Sequence, residues 1–157
     1  MTPPLHPDLE PVAHLIGTWS GSGHGSYPTI ESFDYLEDVE FSHVGKPFLA
    51  YVQRTRDAAS GLPLHAESGY LRAVGPGRVE LVVAQPSGIV EVHVGTVDGA
   101  VLSLVTVSVL TTPTAKDCTA VERRLTVHGD ELGYELAMAA VGQPMTHHLA
   151  ATLQRTG

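Results

Sequence analysis

The sequence contains a single cysteine, Cys118, among its 157 residues. One cysteine cannot form a disulfide within the chain, so the fold cannot depend on covalent cross-links. No Cys-x-x-Cys-His motif is present either, which excludes the usual covalent attachment of a prosthetic group. Any cofactor is therefore expected to bind non-covalently.

Basic residues are also few. Nine Lys and Arg stand against 17 Asp and Glu, which gives a formal net charge of -8, and the basic residues are scattered along the chain. Proteins that bind nucleic acids or anionic membranes normally cluster their positive charge. We therefore expect neither nucleic acid nor a membrane as a partner.

Long apolar runs and common catalytic motifs are missing as well. No run of about 18 apolar residues occurs, and the N-terminus lacks the basic flank and apolar core of a signal peptide. These features predict a cytoplasmic protein. There is no G-x-S-x-G elbow, H-E-x-x-H helix, phosphate-binding loop or Rossmann glycine fingerprint.

The composition that is present, 43% hydrophobic and 17% charged residues, predicts one globular domain over residues 1–157. Helical spacing of apolar residues occurs only from Pro7 to Ile16, which predicts one short helix. After it, segments rich in Val, Thr, Tyr and Phe alternate with Gly, Pro or Asp. They predict ten strands: Gly17 to His24, Phe33 to His43, Phe48 to Thr55, Leu64 to Ala73, Val79 to Ala84, Ile89 to Val97, Val101 to Leu110, Thr119 to Val127, Glu131 to Ala140, and His147 to Arg155.

Several connections have the composition of tight hairpin turns, among them Gly75-Pro76-Gly77 and Asp98-Gly99. Strands joined by hairpins run antiparallel, and without crossover helices a parallel sheet is excluded. Closing the sheet removes exposed edges, so we predict an all-β, ten-stranded antiparallel up-and-down barrel with a short N-terminal helix. Ten strands make a barrel wider than its side chains can fill, which predicts a cavity and a ligand.

The first predicted strand carries a G-x-W-x-G-x-G motif made by Gly17, Trp19, Gly21 and Gly23. We expect Trp19 to close the bottom of the barrel with its large apolar ring. Glycines permit the sharp bend of a first strand at a barrel corner. The motif by itself indicates structure and no particular activity.

This first strand resembles that of the lipocalin and fatty-acid-binding-protein group, and later motifs narrow the likeness. They are Gly25-Ser-Tyr-Pro-Thr-Ile30, Phe33-Asp-Tyr-Leu-Glu37, Phe41-Ser-His-Val-Gly-Lys-Pro-Phe48, Leu64-His-Ala-Glu-Ser-Gly-Tyr-Leu-Arg72 and Gln143-Pro-Met-Thr-His-His-Leu149. Together they resemble the nitrobindin family, most closely its actinobacterial branch, from Gly17 to Arg155. The resemblance implies a calycin-like barrel that holds ferric b-type haem near its open end. It also implies nitric oxide binding, isomerisation of peroxynitrite to nitrate and, by analogy, a homodimer.

The resemblance assigns the haem iron to the histidine directly before a Leu at the start of the last strand, which is His148. Strand alternation gives a different answer. Leu149, Ala151 and Leu153 form the more apolar phase, and this phase includes His147 rather than His148. We select His148 because the family motif places the ligand there and because a β-bulge can break the alternation. Adjacent strand residues face opposite ways, so the pair does not suggest a zinc site.

Two further residues are carried over from the resemblance as haem contacts. Thr29 lies in the Tyr-Pro-Thr-Ile turn, where it would line the pocket or simply stabilise the turn. Lys116 follows the seventh strand, where its ammonium would pair with a haem propionate or stay solvated.

The main alternative function is a carrier of a fatty acid or another small apolar ligand in the same cavity, because one fold hosts many functions. A carrier would normally place an Arg or a Tyr inside the barrel to meet a carboxylate, and Arg54, Arg72 and Arg123 are the candidates. A barrel with a filled interior, which would bind nothing, is a third reading. The acidic residues of the second strand, Glu31, Glu37, Asp38 and Glu40, are interpreted as its solvated face.

Overall fold

The computed structural model describes all residues from Met1 to Gly157. It contains one 3-10 helix, Pro7–Leu15, followed by ten strands: β1 (Gly17–Tyr27), β2 (Ile30–Ser42), β3 (Phe48–Asp57), β4 (Pro63–Gly75), β5 (Arg78–Ala84), β6 (Ile89–Asp98), β7 (Val101–Thr111), β8 (Cys118–His128), β9 (Glu131–Ala140) and β10 (Thr146–Arg155). The predicted strands are confirmed. The largest boundary difference is at the β1–β2 hairpin, where both strands continue to a two-residue turn at Pro28 and Thr29.

The strands form a closed barrel in which each strand pairs antiparallel with its neighbours in the chain. The first and last strands close it, in a register that runs from Trp19 opposite Arg155 to Gly25 opposite Leu149. The predicted up-and-down barrel is thereby confirmed. No helix of the protein is long and apolar enough to span a bilayer.

The N-terminal helix packs against one end of the barrel core. It contains Pro11 and is wound as a 3-10 helix, in which side chains three residues apart lie above one another. This winding places Leu9, Val12 and Leu15 in one buried row that joins the main core cluster. The indole Nε1 of Trp19 donates a hydrogen bond to the carbonyl oxygen of Leu15 at 2.9 Å, so the helix and β1 are fixed together.

Two glycines of β1 lie where the barrel has no room for a side chain. A Cβ on Gly23 would meet the ring of Tyr35, and a Cβ on Gly21 would lie 2.7 Å from the Cα atom of Leu153. Both glycines lie inside one continuous strand. They therefore serve the close approach of β2 and β10, which goes beyond the bend that the sequence predicted.

The pairing ladder between β7 and β8 is the shortest in the barrel. Their register includes only the five pairs from Val101 opposite Thr126 to Val105 opposite Glu122. Beyond this ladder, the hydroxyl of Thr106 accepts a hydrogen bond from the Val121 amide at 3.0 Å. The last residues of β7 consequently diverge from β8 on the side where the β7–β8 loop lies.

Candidate functional site

A cavity of about 640 Å3 occupies the end of the barrel opposite the helix. Its lining includes residues from four hairpin connections at that end: Thr29, Ser87, Lys116 and Val141. More than half of the lining residues are hydrophobic. Its volume falls within the range of roughly 300–1,000 Å3 for small-molecule and cofactor sites. The cavity is therefore large enough for a ligand, as the ten-stranded barrel predicted.

His148 lines this cavity, whereas His147 is exposed on the outside of β10. The difference comes from an irregularity in the β9–β10 ladder. His147 pairs with Ala137 and Leu149 pairs with the next residue, Leu136, so His148 is an extra residue in β10. An inserted residue of this kind is a β-bulge, and it interrupts the alternation of side chains. Parity counted back from Leu149 therefore selects the wrong histidine for the cavity.

The His148 imidazole is held by its neighbours. Its Nδ1 lies 3.0 Å from the carbonyl oxygen of Ser26, a geometry in which Nδ1–H donates and Nε2 keeps a free lone pair. The ring makes an edge contact with Tyr27 at a centroid distance of 5.4 Å and another with Phe33 at 6.4 Å. Burial lowers the pKa of His148 below its usual value, more than the Ser26 hydrogen bond raises it. The neutral imidazole is favoured as a result.

The other histidines contribute less to the cavity. His65 lines it, with Nε2 3.3 Å from a carboxylate oxygen of Glu67. His93 is fully buried and bonds Glu91 at 2.8 Å. No group of three or more His, Cys, Asp or Glu side chains is arranged to hold a metal ion. His148 is thus a single nitrogen donor, as an axial haem ligand would be, and not part of a cluster for a bare metal ion.

Lys116 and Thr29 both line the cavity at its rim and are solvent-exposed. Thr29 occupies the turn between β1 and β2, and Lys116 lies in the loop between β7 and β8 beside Asp117. An exposed ammonium at the rim can reach an anionic group that projects from the cavity without being desolvated. Thr29 is two residues from Tyr27, whose ring contacts His148.

Deeper in the barrel, the cavity wall includes a buried ion-pair network. Arg123 donates to Glu67 through both terminal nitrogens, and to Glu91 through Nε and one terminal nitrogen. Tyr51 adds a hydrogen bond to Glu67 at 2.7 Å. Burial alone would raise the pKa values of Glu67 and Glu91, but the Arg123 charge lowers both below their usual range. All three guanidinium nitrogens of Arg123 thus donate to one of these two carboxylates.

A second buried carboxyl, Glu37, lies beside this network and corrects the sequence interpretation of β2. Glu37 is 2% exposed and lines the cavity, so it does not belong to the solvated face. The hydroxyl of Tyr134 donates to it at 2.5 Å, and the side-chain amide of Gln53 donates at 3.3 Å. Burial raises the pKa of Glu37 to about 7.

The sequence contained a signal for Glu37 that residue type obscured. Glu37 shares its alternation phase with Tyr35, Val39 and Phe41, all of which are buried. Strand alternation also separates the three candidate arginines. Arg123 points inward, whereas Arg54 and Arg72 are exposed. Arg72 instead pairs with Glu80 on the outer surface.

Comparison with known proteins gives consistent matches over nearly the whole chain. A family model described as a THAP4-like, heme-binding beta-barrel domain matches residues 8–155. A protein named Peroxynitrite isomerase 2 from Mycobacterium marinum is 59% identical over 155 residues, which cover 96% of each chain. Peroxynitrite isomerase 1 from Mycobacterium tuberculosis is 54% identical over 162 residues, with 99% of each covered. The crystal structure of Rv2717c from M. tuberculosis superposes with a TM-score of 0.92 at 53% identity and covers 98% of this chain and 100% of that one.

Proposed function

Because the chain belongs to the family of THAP4-like, heme-binding β-barrel domains, we propose that it binds haem in its cavity and isomerises peroxynitrite to nitrate. The observation that carries the proposal is the His148 imidazole, which lies in the cavity wall with one nitrogen bound to Ser26 and the other free. The shared name of the mycobacterial relatives supports the reaction. We also propose that residues 1–157 form one domain.

His148 has the chemistry of an axial ligand. A metal-bound imidazole uses one neutral ring nitrogen, while the other donates to a fixed acceptor that orients the ring. The Ser26 carbonyl is such an acceptor, and the lowered pKa of His148 keeps the lone pair available at neutral pH. We propose Nε2 as the donor to iron, since Nδ1 is already engaged.

The rest of the cavity suits a b-type haem held without covalent bonds. Cys118 is the only cysteine, and apolar side chains such as Phe33, Leu136 and Leu149 would cover a flat apolar ring. The exposed ammonium of Lys116 would meet a propionate at the rim, while Thr29 would line the edge of the pocket. When bound, ferric haem supplies an iron with an open coordination position for peroxynitrite or nitric oxide. The apolar cavity walls would limit the access of water to the bound haem.

The alternative of a fatty-acid carrier lacks a free buried arginine to meet the carboxylate. Arg123 is the buried arginine of the cavity, and Glu67 and Glu91 already occupy its guanidinium. A fatty-acid carboxylate would have to displace one of these carboxylates and leave it buried without its partner. Such an uncompensated buried charge is strongly unfavourable. Haem, whose carboxylates extend from one edge, can leave them at the rim.

Reconstitution with hemin tests the proposal. The Soret band and the rate of peroxynitrite decay are measured for the wild type, His148→Ala and, as a matched neighbour, His147→Ala. We expect His148→Ala to lose the Soret shift and to decay peroxynitrite no faster than free hemin, whereas His147→Ala behaves as the wild type. An unchanged spectrum and rate in His148→Ala would contradict the assignment, and a loss confined to His147→Ala would transfer it to the neighbouring residue.

We also propose that two copies associate through the outer face of β7. This strand contains no charged residue, and Val107 and Leu110 are 62% and 64% exposed. Each copy carries a net charge of -8, so a strand without charged residues lets two copies approach with less repulsion than a charged surface would. Contact between the same face of two copies closes at two subunits.

Light scattering measures the mass of the particle in solution. Val107→Lys should convert a dimer to a monomer, while Thr152→Lys, at an exposed position on β10, should not. A wild type with the mass of one chain would contradict the dimer.

A cytoplasmic location, where the buried free thiol of Cys118 would stay reduced, completes the proposal.

A further inference from the structure

The buried charges along the inner wall of the cavity do not cancel. Arg123 is a single cation shared by two carboxylates, Glu67 and Glu91. His93 bonds Glu91 through Nε2, and its buried Nδ1 has no partner. Arg123, Glu67 and Glu91 together therefore carry one net negative charge before Glu37 is considered.

Glu37 decides whether that negative charge becomes larger. The groups that face it are Gln53 and Tyr51 from β3, Glu67 from β4, Arg123 from β8, and Tyr134 from β9, together with Tyr35 from its own strand. Only Gln53 and Tyr134 bond its carboxyl group, and no cation does. Because Arg123 is directed at Glu67 and Glu91, the charge of an ionised Glu37 has no direct counterion.

We propose that Glu37 sets the charge selectivity of the cavity: anions enter when its carboxyl is protonated and are disfavoured when it is ionised, while neutral ligands are indifferent to its state. The geometry supports a direct effect, since Glu37 lines the same cavity as His148. Gln53 adds a second acceptor, because its buried Oε1 has no hydrogen-bond partner. Glu37 and Gln53 thus present negative potential to the cavity.

The ionisation of Glu37 falls within the pH range in which binding can be measured on the folded protein. Burial raises the pKa of Glu37 to about 7, so its carboxyl changes state near neutral pH. This inference rests on the proposed function for the identity of the ligands, peroxynitrite as an anion and nitric oxide as a neutral molecule. A rise in pH across neutrality should then weaken the binding of the peroxynitrite anion and leave the binding of neutral nitric oxide unchanged.

The size of the effect follows from Coulomb's law. One unit charge about 10 Å from the ligand, at an effective dielectric constant of about 20, changes the affinity by roughly tenfold. The Debye length at physiological salt is about 8 Å, but buried pairs are screened less than exposed ones. We therefore expect the affinity of an anion to fall about tenfold as Glu37 ionises.

Two dyes test this on the full-length apo-protein. Anilinonaphthalene sulfonate is an anion that fluoresces in apolar cavities, and N-phenylnaphthylamine has the same ring system without the sulfonate. Their affinities are measured at about pH 6 and about pH 8 for the wild type, Glu37→Gln and Glu40→Gln. Glu40 is an exposed residue on the same strand and serves as the matched control. Tyr134→Phe is added because it removes a hydrogen bond that lowers the pKa of Glu37.

In the wild type and Glu40→Gln, the affinity for the sulfonate should fall about tenfold at the higher pH, while that for the neutral dye stays constant. Glu37→Gln should abolish the pH dependence, and Tyr134→Phe should shift its midpoint to higher pH. If Glu37 had a purely structural role, neither substitution would change the pH dependence of sulfonate binding. Equal sulfonate affinity of the wild type at both pH values, or an unchanged pH ratio in Glu37→Gln, would overturn the inference. So would binding of the neutral dye alone at the lower pH.

The hemin-loaded protein provides a second arm. Azide, an anion at both pH values, should follow the sulfonate in each variant, and nitric oxide should follow the neutral dye. Azide affinity with the same pH ratio in the wild type and Glu37→Gln would contradict the inference. If the wild type failed to bind hemin, the proposed function would be wrong, but the dye experiment would still decide the charge selectivity of the cavity.

Discussion

The Nδ1 atom of His148 lies 3.0 Å from the main-chain carbonyl oxygen of Ser26. Ser26 belongs to β1 and His148 to β10, the two strands that close the barrel. A main-chain acceptor cannot be removed by substitution of its own side chain, so the orientation of the imidazole is tied to the backbone of β1. Changes that loosen the end of β1 should therefore affect haem binding even when they leave His148 in place.

Tyr27, which follows Ser26, fixes this end of β1. Its hydroxyl donates to the Met138 carbonyl at 2.9 Å and accepts from the Ala140 amide at 3.1 Å. Tyr27→Phe would leave the buried Ala140 N–H without this partner, which costs about 1–3 kcal/mol. We predict a loss of that size in urea denaturation, together with weaker hemin binding. Tyr70→Phe, at a tyrosine that is 53% exposed, is the control and should change neither quantity.

Close packing at Gly23 gives a second prediction. Gly23→Ala would place a Cβ against the ring of Tyr35, only 2.5 Å from its hydroxyl oxygen, so β1 or the ring must move. Overpacking of this kind costs about 1–3 kcal/mol, which urea denaturation can measure. Gly133→Ala is a matched substitution in β9, where the nearest atom to the new Cβ is 3.9 Å away. Equal stability losses in the two variants would show that Gly23 has no special packing role.

The architecture was predictable because it depends on local signals. Strand alternation and turn residues specify hairpins, and a series of hairpins without crossover helices leaves a meander or a barrel. The helix was predicted at the correct place, but its 3-10 winding was not. In this short segment, Leu9, Val12 and Ile16 fit the spacing of an α-helix as well as Leu9 and Val12 fit that of a 3-10 helix. Burial of Leu15 in place of Ile16 follows from the tighter turn.

The site was less predictable because its details depend on contacts between distant strands. Parity assigned His147 to the interior, and only the register between β9 and β10 reveals the bulge at His148. The ion pair of Arg123 with Glu67 joins residues 56 positions apart, which no local pattern indicates. The inward orientation of Glu37, by contrast, could be predicted from strand alternation alone. The expectation that acidic residues face water was misleading there. The resemblance to the nitrobindin family, which the family model confirms, depended on motifs rather than on geometry.

Removal of the Arg123 charge should destabilise the barrel strongly. Arg123→Met would leave Glu67 and Glu91 buried without their counterion, and breaking a buried pair in this way costs about 3–5 kcal/mol. The pKa values of both carboxyls lie below their usual range in the folded protein, so their pairing stabilises the fold above that range and is lost as the pH falls. The difference between the wild type and the variant should consequently shrink in acid.

Chemical denaturation at neutral and acidic pH measures this difference. The control is Arg124→Met, which removes an exposed charge from the adjacent position and should cost little. A loss in Arg123→Met no larger than that in Arg124→Met would mean that the two carboxylates find other partners in the barrel.

Glu37 should give the opposite pH dependence of stability. Its pKa rises from about 4.5 to about 7 on folding, so between these values the folded chain holds a proton that the unfolded chain has released. The contribution of Glu37 to the free energy of unfolding is therefore fully present at low pH. It falls by about 3 kcal/mol in total as the pH rises through that interval. Glu37→Gln, which cannot ionise, should abolish this part of the slope when urea midpoints are measured across the interval. Glu40→Gln should retain the slope, and a wild-type slope in Glu37→Gln would mean that Glu37 is ionised throughout.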